Sequence, residues 1–276
     1  MSDPRWPRAL LSALLLAVAL AAAAPAAAQT GRCETLAEYA DIVEPEPTTA
    51  GIVTVPVAIH LMERTGTPCR VRRAWTSAVV RRLFEDSASD RAIASIWDGT
   101  RVRFVVREIA IHHFDPPAAL TNGSGTVLVP TTGPLGPARW ERAFTRLVTR
   151  FHRPGHVNVY LWSAIAPDQA GFGRSTRSGR GKATVWLAGK CADGRMTPER
   201  CARIVAHELG HALGLYHSGP NRCATVQPAF RAVCQRTSAP CAEATAAQRL
   251  MASGMTGRRL CPLEAEAAEE MAASIE

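Results

Sequence analysis

The stretch from Thr197 to His217 constrains this chain most, because it carries its own start, stop and internal spacing. Thr197 is suited to an N-cap, and Pro198 to the first helical position, where its missing N–H costs nothing. Gly214 tolerates the left-handed conformation that closes a helix. The pattern therefore predicts a helix from Pro198 through Leu213. Within it His207 and His211 stand four apart, on one face and one turn separated. The sharp turn that Gly214 permits can bring His217 back toward the same point.

Three converging imidazoles suit one zinc ion, which binds histidine nitrogen at about 2.0–2.1 Å. Three protein ligands leave a fourth tetrahedral position for water, the mark of a catalytic site. Glu208 follows the first ligand directly and is placed as general base rather than ligand. It would take a proton from water that zinc brings to a pKa of about 7, then hand it to the departing amine. The expected cofactor is thus a single catalytic Zn2+ held by His207, His211 and His217. A weaker alternative takes the third ligand from a downstream acid such as Glu243. The bland rival is a helix whose histidines only fill a core.

His207-Glu208-Leu209-Gly210-His211-Ala212-Leu213-Gly214-Leu215-Tyr216-His217 resembles the H-E-x-x-H-x-x-G-x-x-H motif of the metzincin zinc proteases. The resemblance implies a zincin-like α+β fold: a mixed, mostly parallel twisted sheet with flanking helices, an active-site helix, and a smaller loop-rich C-terminal lobe. It implies an endopeptidase acting on a protein or peptide substrate, and a methionine turn beneath the metal. Met251, in Leu250-Met251-Ala252-Ser253-Gly254, is the candidate for that turn, with Met255 second and an ordinary core methionine as the plain reading. It also implies an edge stretch, here residues 170–177, along which an extended substrate pairs by its main chain. Arg174, Arg177, Arg180 and Lys182 crowd that region, which suggests a preference for acidic residues against the plainer reading of a solvated loop. Ser218 resembles the matrixins, whose cysteine-switch motif is absent. No tyrosine follows Met251, so the extra tyrosine ligand of astacins and serralysins has no counterpart; Tyr216 is near enough to shape the pocket. The subfamily stays open, and a zinc-binding module that acts by holding a partner is the alternative to hydrolysis.

The chain opens with Arg5 and Arg8, an apolar run over residues 9–24, Pro25 and then Ala26-Ala27-Ala28. This reads as a secretory signal peptide cleaved after Ala28, and its apolar run is shorter than the ~20 residues of a membrane span. A secreted or periplasmic protein without stable membrane insertion is expected. Eight cysteines, all beyond the signal, fit disulfides in an oxidising compartment. Cys191 and Cys201 bracket the approach to the histidine helix, where a mutual bridge would fix its start. Cys33 is expected in a bridge rather than as a latency thiolate on the metal. The net charge of +8 is spread along the chain without a nucleic-acid motif, so a soluble basic surface is expected, with no nucleic-acid partner and a monomeric state.

Beyond the signal at 1–28, residues 29–50 read as an extended N-terminal segment, 51–217 as the upper lobe, and 218–276 as the C-terminal lobe with the Met251 turn and a final helix over 262–273. Strands are expected over 52–61, 102–111, 156–165 and 183–188, from their β-branched and apolar runs. Helical spacing runs over 75–97, with a break near 87–89, and over 139–151. His112-His113 reads as a strand end rather than a metal pair, because neighbours on a strand face opposite ways. Asn122-Gly123-Ser124 is a glycosylation sequon only in a eukaryotic host.

Overall fold

The computed structural model describes residues 33–42, 51–66, 69–84, 92–115, 150–162, 171–174, 184–188, 191, 196–215, 250–251, 260–273 and 275. The chain divides into two compact units, Met1–Cys33 and Glu34–Glu276, and all the secondary structure among the described residues belongs to the second. Five strands form one sheet: β1 (Val53–Glu63), β2 (Val102–His113), β3 (Val157–Trp162), β4 (Gly171–Arg174) and β5 (Thr184–Ala188), in the order β2-β1-β3-β5-β4. β2, β1, β3 and β5 run parallel, and β4 lies antiparallel to β5 at the edge. The fold is therefore α+β with a mostly parallel sheet, as the alternation of apolar runs and helical spacing implies.

The runs rich in Val and Ile become strands because parallel strands are covered on both faces and favour such residues throughout. Pro56, out of place in a central strand, sits at the end of β1 that β3 does not reach, beside a register shift at Val57/Ala58. That shift pairs Val57 with Val106 and Ala58 with Glu108, leaving Arg107 as an extra residue on β2. Val102, Phe104 and Val106 precede it and Ile109 follows it, and all four lie in the core. Without the bulge, period-two alternation would turn Ile109 to the other face.

Short helices α1 (Arg70–Ala74), α2 (Ser77–Phe84) and α3 (Ile93–Ile96) lie between β1 and β2. The expected helical stretch over 75–97 is thus divided already at Trp75-Thr76, and α1 precedes it. Thr76 starts α2 afresh: its hydroxyl accepts the Val79 N–H at 3.3 Å, and the Glu34 carboxylate accepts the Ser77 N–H at 2.7 Å. Residues 85–91, where the sequence places the break, lie outside the described residues. At α1, Cys69 is left-handed at φ 68° and offers no side-chain cap, so buried Glu63 supplies one, accepting the Arg72 N–H at 3.0 Å.

The N-terminal segment departs from expectation, because residues 36–42 are not extended. Leu36–Ile42 is a 3-10 helix, with the Glu38 carboxylate accepting the Thr35 N–H at 2.6 Å. Three residues per turn put Tyr39 and Ile42 on one side, and both are buried. The long helix α4 (Pro198–Ala212) and the final helix α5 (Pro262–Ala272) fall where the sequence puts them. Arg101, between α3 and β2, holds Glu269 of α5 through its N–H at 2.8 Å and its guanidinium at 2.9 Å. Of the helix expected over 139–151, only Arg150 and Phe151 are described, and both are helical. Among the described residues no helix is long and apolar enough to cross a membrane.

Alternation along β1 and β3 sends Val57, Ile59, Leu61, Val157, Val159 and Leu161 into the core that α4 shares, and His60, Asn158 and Tyr160 to the opposite face. His60 stacks on Tyr160 with ring centroids 4.5 Å apart. Asn158 is oriented without ambiguity, since its Oδ1 accepts the Arg153 N–H at 2.7 Å while its Nδ2 donates to the carbonyls of Arg153 and His156. His60 Nε2 therefore donates to Asn158 Oδ1 at 2.9 Å, and His60 Nδ1 accepts from His112 Nε2 at 2.9 Å. His112 thus joins this network while His113, beside it, is exposed, as the reading of a strand end requires.

Burial pushes both His60 and His112 down to about 4; the Asn158 bond pulls His60 slightly back up, and nearby His60 pushes His112 further down. In the unfolded chain both titrate near 6.5. Between those values the unfolded state binds more protons, so stability must fall as pH drops from about 6.5 to about 4. The expected loss is roughly 5 kcal/mol for the pair between pH 7 and pH 4.5, since each site gives up ~1.4 kcal/mol per pH unit below about 6.5. Urea unfolding at pH 7 and pH 4.5 measures it, and His112→Gln should flatten the dependence. An equal flattening by His113→Gln would contradict the assignment.

Candidate functional site

α4 begins as its sequence demands. Thr197 is extended, its hydroxyl accepts the Arg200 N–H at 3.4 Å, and Pro198 occupies the first turn. A disulfide joins Cys191, ahead of the helix, to Cys201 in its first turn, with Cα atoms 5.4 Å apart. The Cys191 carbonyl in turn accepts the Trp75 indole N–H at 3.0 Å, so the start of α4 is fastened to the break between α1 and α2. Ala202, Val205, Ala206 and Leu209 recur at helical spacing and are all buried, seating the helix in the core.

The other end is a complete Schellman turn. Gly214 has φ 81°, its N–H meets the His211 carbonyl at 3.0 Å, and the Leu215 N–H meets the Gly210 carbonyl at 2.9 Å. Leu213 is the C-cap, one residue before the glycine that the sequence assigns as terminator.

His207 and His211 come together on this helix, with ring centroids 4.7 Å apart and planes at 88°. His207 is fully buried and Glu208, between them in sequence, is 2% exposed. His207 Nδ1 lies 2.7 Å from the Leu250 carbonyl, and His211 Nδ1 lies 2.7 Å from the Leu215 carbonyl. A carbonyl can only accept, so each Nδ1 carries the proton and each Nε2 carries the lone pair. This is the tautomer and the backing bond that a metal-ligating histidine requires.

Leu250 and Met251 are both fully buried against α4. A Cβ built on Gly210 would stand 2.5 Å from Met251 Sδ and 3.2 Å from its Cε. The methionine thus packs directly on the turn between the two histidines, in the space that the missing side chain leaves. Met255 and His217 lie outside the described residues, as do Glu243 and Tyr216. Among the described residues no group of three His, Cys, Asp or Glu side chains gathers around a metal position. The donor set that is described, two imidazoles with defined Nε2 lone pairs, fits a divalent zinc ion.

Cys33, Cys69, Cys191, Cys201 and Cys261 are all disulfide-bonded, and no described cysteine is free. Cys33 is thereby unavailable as a latency thiolate, and the Cys191–Cys201 pair is the one that the sequence suggests. Of the stretch 170–177, Gly171–Arg174 is the edge strand β4, paired with β5 from Gly171 opposite Leu187 to Arg174 opposite Thr184. Residues 170 and 175–177, and Arg180 and Lys182 with them, lie outside the described residues. The two backing carbonyls, of Leu215 and Leu250, escape a sequence reading because any residue has one. Gly210 is the residue that could have pointed to the Met251 contact, since a glycine inside a helix often allows a close approach.

Two outcomes follow from this packing. Gly210→Ala improves helix propensity by ~1 kcal/mol but must displace Met251, at a typical cost of ~1–3 kcal/mol. It should therefore destabilise or leave unchanged the natural chain yet stabilise Met251→Ala, with a coupling above ~1 kcal/mol in a double-mutant cycle by urea unfolding. Replacing Cys191 and Cys201 together by Ala should cost about 2–3 kcal/mol by the same assay, given a closed loop of separation 10.

No protein-family model matches the chain, and no curated protein matches it. Among solved structures, a chain described as "Structure of a chaperone-substrate complex" is similar at 14% identity and a TM-score of 0.42. The match covers 83% of this chain and 36% of that one, so this chain spans about a third of its length. Similarity of that size assigns neither a family nor an activity.

Proposed function

We propose that this chain is a zinc-dependent endopeptidase of the metzincin type that works outside the cytoplasm, with one ion held by His207, His211 and His217. The observation that carries the reading is the pair of Nδ1–H bonds to the Leu250 and Leu215 carbonyls, both 2.7 Å, which orient two imidazoles one helical turn apart with Nε2 as the donor atom. Any buried imidazole must place its N–H on an acceptor, but here both rings use Nδ1 and so leave both Nε2 lone pairs on residues four apart, one face of the helix. Zinc, when bound, supplies a Lewis acid that polarises a peptide carbonyl and makes water more acidic.

The protein's own groups do the rest. Glu208 lies between the two histidines on a buried turn of α4, where its carboxylate receives the proton of the attacking water and delivers it to the departing amine nitrogen. Met251 fills the space under Gly210 and keeps that turn from shifting. β4 is one of the two edge strands of the sheet among the described residues, and an edge strand's outer side can offer main-chain donors and acceptors to an extended peptide laid alongside. The disulfides, together with a basic start and short apolar run in the sequence, support an exported protein.

The test is cleavage of casein by the zinc-loaded chain, by the chelated chain, and by Glu208→Gln. Cleavage should vanish on chelation and return with zinc, and Glu208→Gln should lower the rate by ~10²–10⁴-fold while keeping one zinc per chain. A zinc-loaded natural chain that cuts neither casein nor a peptide library would replace hydrolysis by partner binding.

A further inference from the structure

The sheet face turned away from α4 carries two imidazoles whose room for further protons is set by how they are connected. We propose that His60 and His112 form an acid-operated latch, in which a proton on His60 expels the His112 ring and unseats Phe151, opening this face while α4 stays packed on the other. His60 has both nitrogens in use: Nε2–H donates to Asn158 Oδ1 and Nδ1 accepts from His112 Nε2, each at 2.9 Å. The first of these bonds cannot reverse. Asn158 Oδ1 is held as an acceptor by the Arg153 N–H at 2.7 Å, and its Nδ2 as a donor by the carbonyls of Arg153 and His156.

The lone pair left over in the pair is on His112 Nδ1. A first proton placed there keeps the bond to His60 and strengthens it, because its donor is then charged. A second proton can enter only at His60 Nδ1. Two N–H groups would then face each other across 2.9 Å with no acceptor between them, so the bond is lost and the rings part. His60 is 2% exposed on a central strand, whereas His112 is half-buried on the edge strand β2 and has room to leave.

Phe151 is what His112 seats. Their ring centroids are 4.3 Å apart, and Phe114 meets both Phe151 and Trp162 edge to face at 5.8 Å. Asn158 grips the same segment further on, at Arg153 and His156, and keeps that grip when His60 is charged, since Nε2–H still donates. Movement is therefore confined to the Phe151 side of Arg153.

The surrounding charges favour release. The covering segment adds Arg150, His152, Arg153 and His156, while β2 adds Glu108, whose carboxylate lies 2.9 Å from Arg153 Nε. β3 adds Tyr160, whose phenol is kept neutral by burial. Burial holds His60 down to about 4, with a partial pull upward from Asn158 and a further push down from His152 and His156. Parted and wetted, each ring returns toward about 6.5. Each proton that the open rings hold and the closed rings do not thus favours opening by about tenfold per pH unit of acidification.

The test is NMR of the full oxidised chain with 15N-labelled imidazoles, followed from pH 7 to pH 3.5. Both rings should begin as the Nε2–H tautomer. His112 should take its proton first with the NOE between its ring and Phe151 intact. That NOE should vanish as His60 becomes charged, while the Val205 and Leu209 methyl signals of α4 keep their native dispersion. His60→Gln keeps a donor for Asn158 and an acceptor for His112 but takes no proton, so it should retain the NOE throughout. An NOE lost with the first proton or lost in His60→Gln, one that survives a charged His60, a His60 still neutral at pH 3.5, or collapse of the α4 signals in the same step would each overturn the latch. The natural chain alone decides the matter should His60→Gln fail to fold.

Discussion

A polar ring with no exposure to solvent has to be answered from within the protein, and at His207 the answer is the backbone oxygen of Leu250. That single bond constrains much around it. The segment carrying Leu250 must lie against α4, which brings Met251 onto the helix at a distance that only glycine at position 210 allows. A helix interrupted by glycine is weakened by roughly 1 kcal/mol, and α4 is reinforced at both ends. It has a hydroxyl cap, a proline and a disulfide at its start, and a two-bond Schellman turn at its finish. The finish is not only structural, because Leu215, the residue just beyond Gly214, supplies the carbonyl that orients His211.

The sheet divides its labour by face. Toward α4 it presents aliphatic side chains from β1, β3 and β5, with Arg107 bulged so that β2 contributes on both sides of the irregularity. Toward the other side β1, β2 and β3 present His60, His112, Asn158 and Tyr160, a polar layer made tolerable by the fixed orientation of Asn158. Burial on that face is compatible with neutral imidazoles and penalises charged ones. The histidine pair on α4 differs in kind, since each ring there leans on a carbonyl and neither leans on the other's nitrogen.

Much of this was legible from residue types. Thr197, Pro198 and Gly214 mark α4 because caps, first-turn prolines and left-handed glycines have strong local causes, and the β-branched runs mark the strands for the same reason. The 3-10 helix at Leu36–Ile42 has a local capping signature in Thr35-Leu36-Ala37-Glu38, but the prolines and acids that follow it favour extended backbone and obscure that signature. The division at Trp75-Thr76 was hidden because it depends on Glu34, a residue 43 positions away, accepting the Ser77 N–H. The His60–His112 contact spans 52 residues, and neither histidine has a local pattern that announces it. Sequence exposes what neighbours along the chain decide; it conceals what distant backbone decides.

The distance between His207 and Leu250 has a consequence for how the molecule comes into being. The bond spans 43 residues toward the C-terminus. β1, β2, β3 and β5 precede α4, so during synthesis from the N-terminus the sheet and the buried face of α4 are available to associate before Leu250 has been made. The Schellman turn orients His211 from within the helix's own neighbourhood, whereas His207 waits for a long-range closure, the slower kind of event. A chain that folds in the order of its synthesis would hold its scaffold while one of its two histidines still lacks the carbonyl that fixes its tautomer. In that order the orientation of His207 would come last, after the fold that carries it.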